Sequence, residues 1–530
     1  MVEQSLPSPR IEELPPTYNT HSRSISQSSI ETSQSEPSRP LLKQPIRDVV
    51  QSTYTRATVF GAIQRLWTYV RRRKVTTPPV STAATKKASR TAEFDGLRGL
   101  ACLVVFHFHF LYPYTKTITH GFGADLGDPV WRYPHQLPFL CLLVRGRAMV
   151  TLFFAISGYV LSYNFLASVS IGSNPTTNGF SRLGSLALRR WMRLFLPASV
   201  SMLLVMFGAF FGAFEKGREL KDSQWQHGWW EQHPPQFDMF RAQLKDFLEM
   251  WWDWQSPWQW RLYYSEYDPH TWTIPVEFRG SLVLFILLLA SAGLKQGWRF
   301  GLIICVTIYC FASRRWDVAA FTGGALVANV HICQTSRREL REKEALLPLD
   351  SITSKSESRL WKYSITALKC LLLLAALYVL SFPDDGASKT PGFSWLNTIT
   401  PPMYGKGKEH PYKFWHAFAA IFILWAVARI SFVKAFLSFS IPQYFGKISY
   451  GLYLVHGPLL HSAGFALQPK IFEAVGTETK VKYLGGLFLG WMTMLALSIV
   501  TAHLFWKFVD EPLVRFAKWL ERVASHGKGS

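Results

Sequence analysis

The 530-residue sequence is 48% hydrophobic and 15% aromatic, and its hydrophobic residues stand in long blocks. Several blocks reach about 18 residues, the length at which an α-helix crosses a hydrocarbon core of roughly 30 Å. The formal net charge of +22 does not indicate a nucleic-acid-binding protein, because the Lys and Arg residues flank the apolar blocks instead of forming one basic domain. The composition therefore predicts an all-α, polytopic transmembrane helical bundle.

The cysteines and the amino terminus narrow this prediction. The amino-terminal segment has no early apolar stretch, so we expect no cleavable signal peptide and the first span to act as the signal anchor. The cysteines lack metal-ligand spacing, and the sequence predicts neither a disulfide framework nor a metal site. The six are Cys102, Cys141, Cys305, Cys310, Cys333 and Cys370.

Residues 1–92 are rich in Ser, Thr, Pro, Gln and Arg and are expected to form a disordered cytosolic tail. An apolar patch at 59–70, followed by a basic run at 71–74, is compatible with an amphipathic helix on a membrane surface or with a solvated charged segment. Residues 93–520 are predicted to be the membrane domain, and residues 521–530 a carboxy-terminal tail.

The membrane domain is predicted to contain about ten spans. An even number places both termini on one side, and the basic tail assigns that side to the cytosol. The connection at about 215–272 is rich in Trp and acidic residues, so it is expected outside or in a lumen. The spans are expected near 96–113, 148–167, 195–214, 273–293, 298–312, 316–333, 364–382, 412–430, 443–463 and 483–507.

The first span carries charged and titratable residues that are costly in an apolar helix. At about 100° per residue, Arg98 and His109 lie within about 20° of one face, on which Asp95 also lies, while His107 points away. The rise from Arg98 to His109 is about 16 Å, which suits coenzyme A, a donor with anionic phosphates at one end and a reactive thioester at the other. The alternative is that Arg98 snorkels and His109 bonds a neighbouring helix.

Other polar groups fall in or near the later spans. Glu277, inside the fourth span, is a candidate to orient His109 or bind an acceptor, or a structural partner for an arginine such as Arg279. His456 is either a second polar group of a cavity or a packing residue. Ser157 beside Gly158 favours helix packing over a nucleophile, since no nucleophile elbow surrounds it.

Two features of the outer connection complete the set. His270 is expected to be a solvated loop histidine. The dense tryptophans favour an interfacial belt over a platform that stacks on an acceptor.

Six motifs together make the sequence resemble the acyltransferase-3 family of membrane proteins over about residues 93–520, in the manner of its fungal members. Each motif is weak alone, but their number, order and spacing are specific. They are Phe94-Asp-Gly-Leu-Arg98 with His109; Phe153-Phe-Ala-Ile-Ser-Gly-Tyr159; Arg190-Trp-Met-Arg193; Trp272-Thr-Ile-Pro-Val-Glu277; Ile448-Ser-Tyr-Gly-Leu-Tyr-Leu-Val-His456; and Glu511-Pro512.

The resemblance implies residue roles. It makes Arg98 and His109 essential, with His109 acting in acyl transfer, and it makes Arg190 and Arg193 a functional pair. Lying one helical turn apart at the predicted cytosolic entrance, these two arginines suit the docking of a charged nucleotide, although they could also be ordinary positive-inside anchors.

The sequence thus predicts an acyl-CoA-dependent O-acyltransferase of an endomembrane or the plasma membrane. His109 and Glu277 are the catalytic candidates, and Arg98, Arg190 and Arg193 are the donor-binding candidates. The expected partners are the lipid bilayer, acyl-CoA, with acetyl-CoA as the family's usual donor, and a hydroxyl-bearing glycan, glycolipid or small metabolite. A transporter of protons or small solutes and an inactive scaffold are the alternatives.

Overall fold

The computed structural model describes residues 91–124, 132–170, 178–219, 225–344, 359–405 and 410–524. All of them belong to one unit, residues 87–530. Helices dominate these ranges, which contain no β-strand, and the all-α prediction is confirmed. The predicted amino-terminal tail, except for residues 91 and 92, lies outside the described residues, as do residues 525–530.

Fourteen helices of seven or more residues can be followed through the described ranges. They are α1 Ala92–Leu111, α2 Gly146–Ser170, α3 Asn178–Phe210, α4 Phe240–Trp254, α5 Thr273–Ser291, α6 Gln296–Ala312, α7 Trp316–Glu344, α8 Arg359–Leu380, α9 Pro411–Val427, α10 Ser431–Leu437, α11 Ser440–Leu459, α12 Phe465–Val475, α13 Lys480–Phe505 and α14 Glu511–Ala524.

Shorter helical segments connect them. These are the α-helical turns Glu215–Glu219 and Ser394–Thr398, the 3₁₀ turns Pro134–Gln136, Leu140–Leu143, Pro269–Trp272 and Pro402–Tyr404, and the π-helical turns Leu460–Gly464 and Trp506–Asp510.

Each of the ten predicted spans coincides with a helix, but the span count of ten is not confirmed. By length and composition, six helices of the described ranges can cross a membrane, or seven if the bent pair α9 and α10 is one span. Helix α6 is short, with 17 residues, and α7 turns strongly charged after Arg337. Helix α11 is rich in Ser, Tyr and Gly, so its composition fits a helix packed inside the protein as well as a span in contact with lipid.

The centre of the bundle is formed by α2, which packs against α7, α9 and α1. Glycines allow the α2–α7 approach: a Cβ on Gly158 would lie 2.0 Å from the Phe321 carbonyl oxygen, and one on Gly324 would lie 2.1 Å from that of Ala155. Gly158 therefore acts in helix packing, as the small-residue motif predicts.

A second glycine contact joins α1 to α11. A Cβ on Gly446 would lie 2.3 Å from the Asp95 carbonyl oxygen, and one on Gly99 would lie 2.4 Å from the Gly446 nitrogen. This approach holds the face of α1 that carries Arg98 and His109 against α11. It therefore brings the two helices that carry most of the polar site into register.

Candidate active site

A cavity of about 290 Å³ lies between α1, α2, α3, α5 and α11. It is lined by all three predicted donor-binding residues, Arg98, Arg190 and Arg193, and by Glu277 and Lys447. Asp510 is the second carboxylate of the lining. Four cationic side chains thus face two carboxylates, and the excess positive charge favours an anionic ligand such as a phosphate.

Arg98 is anchored to both helices of its glycine contact. Its guanidinium donates to Ser449 Oγ at 3.2 Å, to the Gly446 carbonyl at 3.1 Å and to Asp95 Oδ1 at 3.0 Å. These bonds hold the guanidinium at the wall of the cavity instead of letting it snorkel, because both acceptors on α11 lie inside the bundle.

Glu277 pairs with an arginine, but the partner is Arg190. Glu277 Oε1 accepts from Arg190 Nη2 at 2.7 Å and from Ser157 Oγ at 2.8 Å. Arg279, the partner suggested by sequence proximity, instead forms a buried ion pair with Asp317 at 2.7 Å. Ser157 therefore faces the cavity while its neighbour Gly158 packs against α7.

The carboxylate that contacts His109 is Glu231, whereas the sequence had suggested Glu277. His109 Nδ1 lies 3.1 Å from Glu231 Oε1 and 2.9 Å from His270 Nε2. The difference arises because Glu277 points into the cation-lined cavity, where Arg190 neutralises it. The His109 side chain keeps 18% of its surface exposed, against 3% for His270.

The outer connection bonds to the end of α1 through its backbone and so places Glu231 beside His109. Backbone N–H groups of Gly228 and Trp229 donate to the carbonyls of Pro113 and Tyr112 at 2.9 and 2.8 Å. Only glycine fits at 228, since a Cβ would lie 2.0 Å from the Tyr112 oxygen. Glu231 follows three residues later, beside the last turn of α1.

His270 is buried, contrary to the expectation of a solvated loop histidine, and a local turn holds it. Asp268 caps the 3₁₀ turn Pro269–Trp272 by accepting from the His270 N–H at 3.2 Å, and its Oδ1 also lies 2.9 Å from His270 Nδ1. The signal in the sequence is Asp268-Pro269, a typical turn start that shields the next side chain.

Two further histidines converge on His270 from the end of α11. The ring of His456 lies 5.1 Å and that of His461 5.5 Å from the ring of His270, measured between centroids. Five residues in a regular α-helix differ by about 140° in direction. The π-helical turn Leu460–Gly464, which follows Pro458, brings His461 to the same side as His456.

The cavity and the histidine cluster are adjacent. Val105, one turn before His109, lines the cavity together with Thr273 and Tyr453. The Tyr453 hydroxyl lies 2.6 Å from Thr273 Oγ1 and donates to the His270 carbonyl. Residues that line the cavity thus also contact the turn that carries His270, the hydrogen-bond partner of His109.

A second cavity of about 430 Å³ opens on the outer connection and is lined by Trp230, His233, Arg218, Gln232, Pro235 and Glu266. Trp230 stacks on His233 with centroids 4.6 Å apart, and His233 stacks on His461 at 4.9 Å. His461 Nε2 lies 2.8 Å from Glu231 Oε2. The stack therefore links this cavity to the cluster around His109.

The tryptophans of the outer connection serve several roles. Trp252 and Trp258 are 75% and 77% exposed, which suits an interfacial belt. Trp254 is fully buried, and Trp230 lines the outer cavity as a platform would. The composition alone could not distinguish these roles, since each tryptophan has a different neighbour.

Glu231 and His233 lie outside the spans, and their protonation follows from their surroundings. Burial by itself raises the pKa of Glu231, but charge interactions and hydrogen bonds with His270 and His109 outweigh burial and hold that pKa well below its usual value. Burial, with repulsion from His461, lowers the pKa of His233 to about 4. At neutral pH Glu231 is thus ionised and His233 is neutral.

Comparison with known proteins gives the family. The family model described as an acyltransferase domain of the acyltransferase-3 family matches residues 91–506. The chain is 29% identical over 457 residues to the O-acetyltransferase PaAT-1 of Phomopsis amygdali, covering 82% of this chain and 85% of that protein. It is 26% identical over 479 residues to acyltransferase R4 of a Phoma species, covering 82% and 97%.

A third relative, acyltransferase clz18 of Cochliobolus lunatus, is 25% identical over 476 residues, covering 82% of this chain and 96% of that protein. No solved structure matches the chain significantly. The family match spans α1 to the end of α13 and includes every residue of the site described above except Asp510. This integral membrane protein therefore belongs to the acyltransferase-3 family.

Proposed function

We propose that the protein transfers an acyl group, with acetyl as the first candidate, from acyl-CoA to a hydroxyl of a small metabolite, glycan or glycolipid. The observation that carries this proposal is a cavity that is lined by four cationic side chains and also by Thr273 and Tyr453, which connect it to His270, the neighbour of His109. The printed name of PaAT-1, an O-acetyltransferase, supports the acetyl group and the hydroxyl acceptor.

In this proposal Arg98, Arg190 and Arg193 bind the phosphates of coenzyme A. The pantetheine arm runs along α1 past Val105, and the thioester reaches the exposed side of His109. The distance suits the donor, since the rise from Arg98 to His109 is about 16 Å.

His109 is the proposed general base. Its Nδ1 donates to Glu231, which leaves the Nε2 lone pair for the acceptor proton. The hydroxyl oxygen bonds to the thioester carbonyl carbon, the carbon–sulfur bond breaks, and the proton passes through His109 to the departing sulfur. Glu231 positions the ring and stabilises its protonated form, and Glu277 holds Arg190 in the donor site.

The acceptor is proposed to enter through the outer cavity. The Trp230 face and the neighbouring Gln232 and Glu266 provide one stacking surface and polar groups, a combination that suits a hydroxylated ring. Donor and acceptor then reach His109 from opposite sides, so neither has to displace the other.

The test is release of coenzyme A from radiolabelled acetyl-CoA by the full-length protein in lipid nanodiscs, with a broad extract as acceptor source. We expect turnover by wild type, its loss in His109→Ala and its retention in His107→Ala, a matched control whose Nδ1 bonds the Leu143 carbonyl. Absence of wild-type turnover across several acyl donors would overturn the proposal and favour a transporter or a scaffold.

The positioning role of Glu231 has its own test. We expect Glu231→Gln to lower kcat about 100-fold while KM for acyl-CoA changes little, because Glu231 acts on the base and not on the donor. Glu231→Asp restores part of kcat, and Glu473→Gln, at an exposed position on α12, is the control. Equal loss in the Gln and Asp variants would contradict a charge-based role.

A further inference from the structure

Two buried histidines, His270 and His461, and the partly buried Glu231 converge on one small volume beside His109, outside the cation-lined cavity. Glu231 Oε2 lies 2.8 Å from His461 Nε2 and 3.2 Å from His270 Nε2. One ligand atom from each of these residues lies within 4.8 Å of the others. Four-coordinate zinc with bonds of about 2.0 to 2.1 Å separates neighbouring ligand atoms by about 3.3 Å, so the 3.2 Å distance matches two ligands of one ion and the 2.8 Å distance has to lengthen by about 0.5 Å on binding.

The hydrogen bonds of this cluster cannot all form while His270 is neutral. His270 Nδ1 faces Asp268 and therefore carries a proton. If His270 Nε2 is unprotonated, its lone pair points at the Glu231 carboxylate. If it is protonated, His270 is an imidazolium whose Nε2–H donates to Glu231 Oε2 at 3.2 Å and stands 2.9 Å from the protonated Nδ1 of His109. The cluster thus needs a positive charge beside Glu231, which is either this imidazolium or a bound cation.

His456 adds an independent observation. It is buried, and its Nδ1 bonds the Leu452 carbonyl at 3.0 Å, so its Nε2 carries a lone pair. That Nε2 has no hydrogen-bond partner among the described residues, although the ring stands against those of His109 and His270. His456 thus places a buried, unsatisfied acceptor beside the cluster, with a ring nitrogen within 4.8 Å of ring nitrogens of His109 and His270, although it lies outside the group of Glu231, His270 and His461.

We propose that His270 Nε2, His461 Nε2 and a carboxylate oxygen of Glu231 hold one divalent metal ion of the zinc class. Two imidazoles and one carboxylate with an open position are the ligand set of catalytic zinc sites. Asp268 on the far nitrogen of His270 completes a carboxylate–histidine–metal arrangement, the usual outer-shell support of a zinc ligand. This departs from the sequence, which predicts no metal.

The ion adds a catalytic role to the proposed function. That role rests on the proposed function, whereas binding of the ion does not. It lies between the outer cavity and His109, where it binds the acceptor hydroxyl oxygen and makes the proton easier to remove. His109 takes that proton, the oxygen bonds to the thioester carbon, and the sulfur leaves. The ion undergoes no redox change, so no further reactant is needed.

The experiment is metal analysis of the full-length protein purified into nanodiscs without chelator. We expect about one zinc per chain by inductively coupled plasma mass spectrometry, and at least a fivefold loss in His461→Ala and in Asp268→Asn at equal folded yield. His107→Ala and His416→Ala, histidines outside the cluster, keep the metal. Cobalt(II) added to chelator-treated wild type gives the visible bands of a low-symmetry, four- or five-coordinate site.

Two results would overturn the proposal. One is less than about a tenth of a zinc per chain in wild type with no cobalt spectrum. The other is metal content that stays the same in both cluster variants. If purified wild type contains no metal and still releases coenzyme A, only the metal proposal fails. His270 with Asp268 then acts as a proton-holding pair. If zinc binds but wild type releases no coenzyme A, the metal site stands and the proposed function fails.

Discussion

Arg193 contributes charge to the cation-lined cavity without the ion pair that engages Arg190 with Glu277. We therefore expect Arg193→Gln to raise KM for acetyl-CoA about tenfold, the loss of one charge-assisted contact, with little effect on kcat. Steady-state kinetics with acetyl-CoA and with acetyl-pantetheine, which lacks the nucleotide phosphates, check this. An equal effect on both donors would show that Arg193 does not bind the phosphates.

Asp384, in the connection between α8 and α9, is a buried carboxyl near Arg147 at the amino-terminal end of α2. Burial raises its pKa to about 6, despite the opposing influence of Arg147 at 3.8 Å and of Arg145; Asp385 adds to the rise. A folded-state pKa above the unfolded value means that the contribution of Asp384 to stability is complete below about pH 4. It is lost as the pH rises through 6, to the extent of about 3 kcal/mol at most.

Asp384→Asn should therefore reduce the fall of Tm between pH 5 and pH 7.5 relative to wild type. Thermal melts of nanodisc samples at both pH values measure this difference. An exposed substitution, Asp238→Asn, serves as the control for general charge effects. Parallel pH dependence of the three proteins would exclude Asp384 as the titrating group.

At the scale of elements, the site depends on how one irregular segment meets one helix. The outer connection carries Glu231 to His109 only because Gly228 allows its backbone to contact the end of α1. Nothing in the periodicity of either element predicts this contact, since the segment has no regular structure. A single methyl group at 228 tests whether the contact matters.

We expect Gly228→Ala to lower kcat about 100-fold, since its Cβ would lie 2.0 Å from the Tyr112 oxygen and must push Glu231 away from His109. Gly485→Ala is the matched control, because on α13 a Cβ meets no atom within 4 Å. Comparison of kcat and Tm separates the two effects. Unchanged kcat in Gly228→Ala would show that the connection adapts freely.

At the scale of the whole molecule, the proposal requires that the donor cavity face the cytosol and the outer connection face the other side. The test uses sealed vesicles whose cytosolic face lies inside and a membrane-impermeant maleimide added outside. Trp258→Cys, an exposed position on the outer connection, should then react. Lys518→Cys, on α14, should react only after permeabilisation. Both are made with Cys305→Ser, which removes an exposed native thiol; the reverse labelling would invert the topology.

Much of this molecule could be predicted from local patterns. Apolar blocks and helical periodicity predicted a helix at each of ten positions where the structure has one, because segment length and side-chain spacing are properties of neighbouring residues. The number of membrane spans is not confirmed. Arg98 and His109 could be assigned to one face of α1 for the same reason. Three arginines and Glu277 were predicted as site residues from motifs, and the structure brings these four residues together in one cavity. Their roles in donor binding and catalysis stay predictions.

The tertiary structure decided which side chains surround His109. Its hydrogen-bond partners lie 122 and 161 residues further along the chain, and such contacts leave no periodic signal in a single sequence. His461 reaches the cluster only through a π-helical turn, and Gly228 fixes Glu231 through backbone contacts. The sequence by itself thus determined the helices and the charged end of the site, whereas packing between distant segments decided its chemistry.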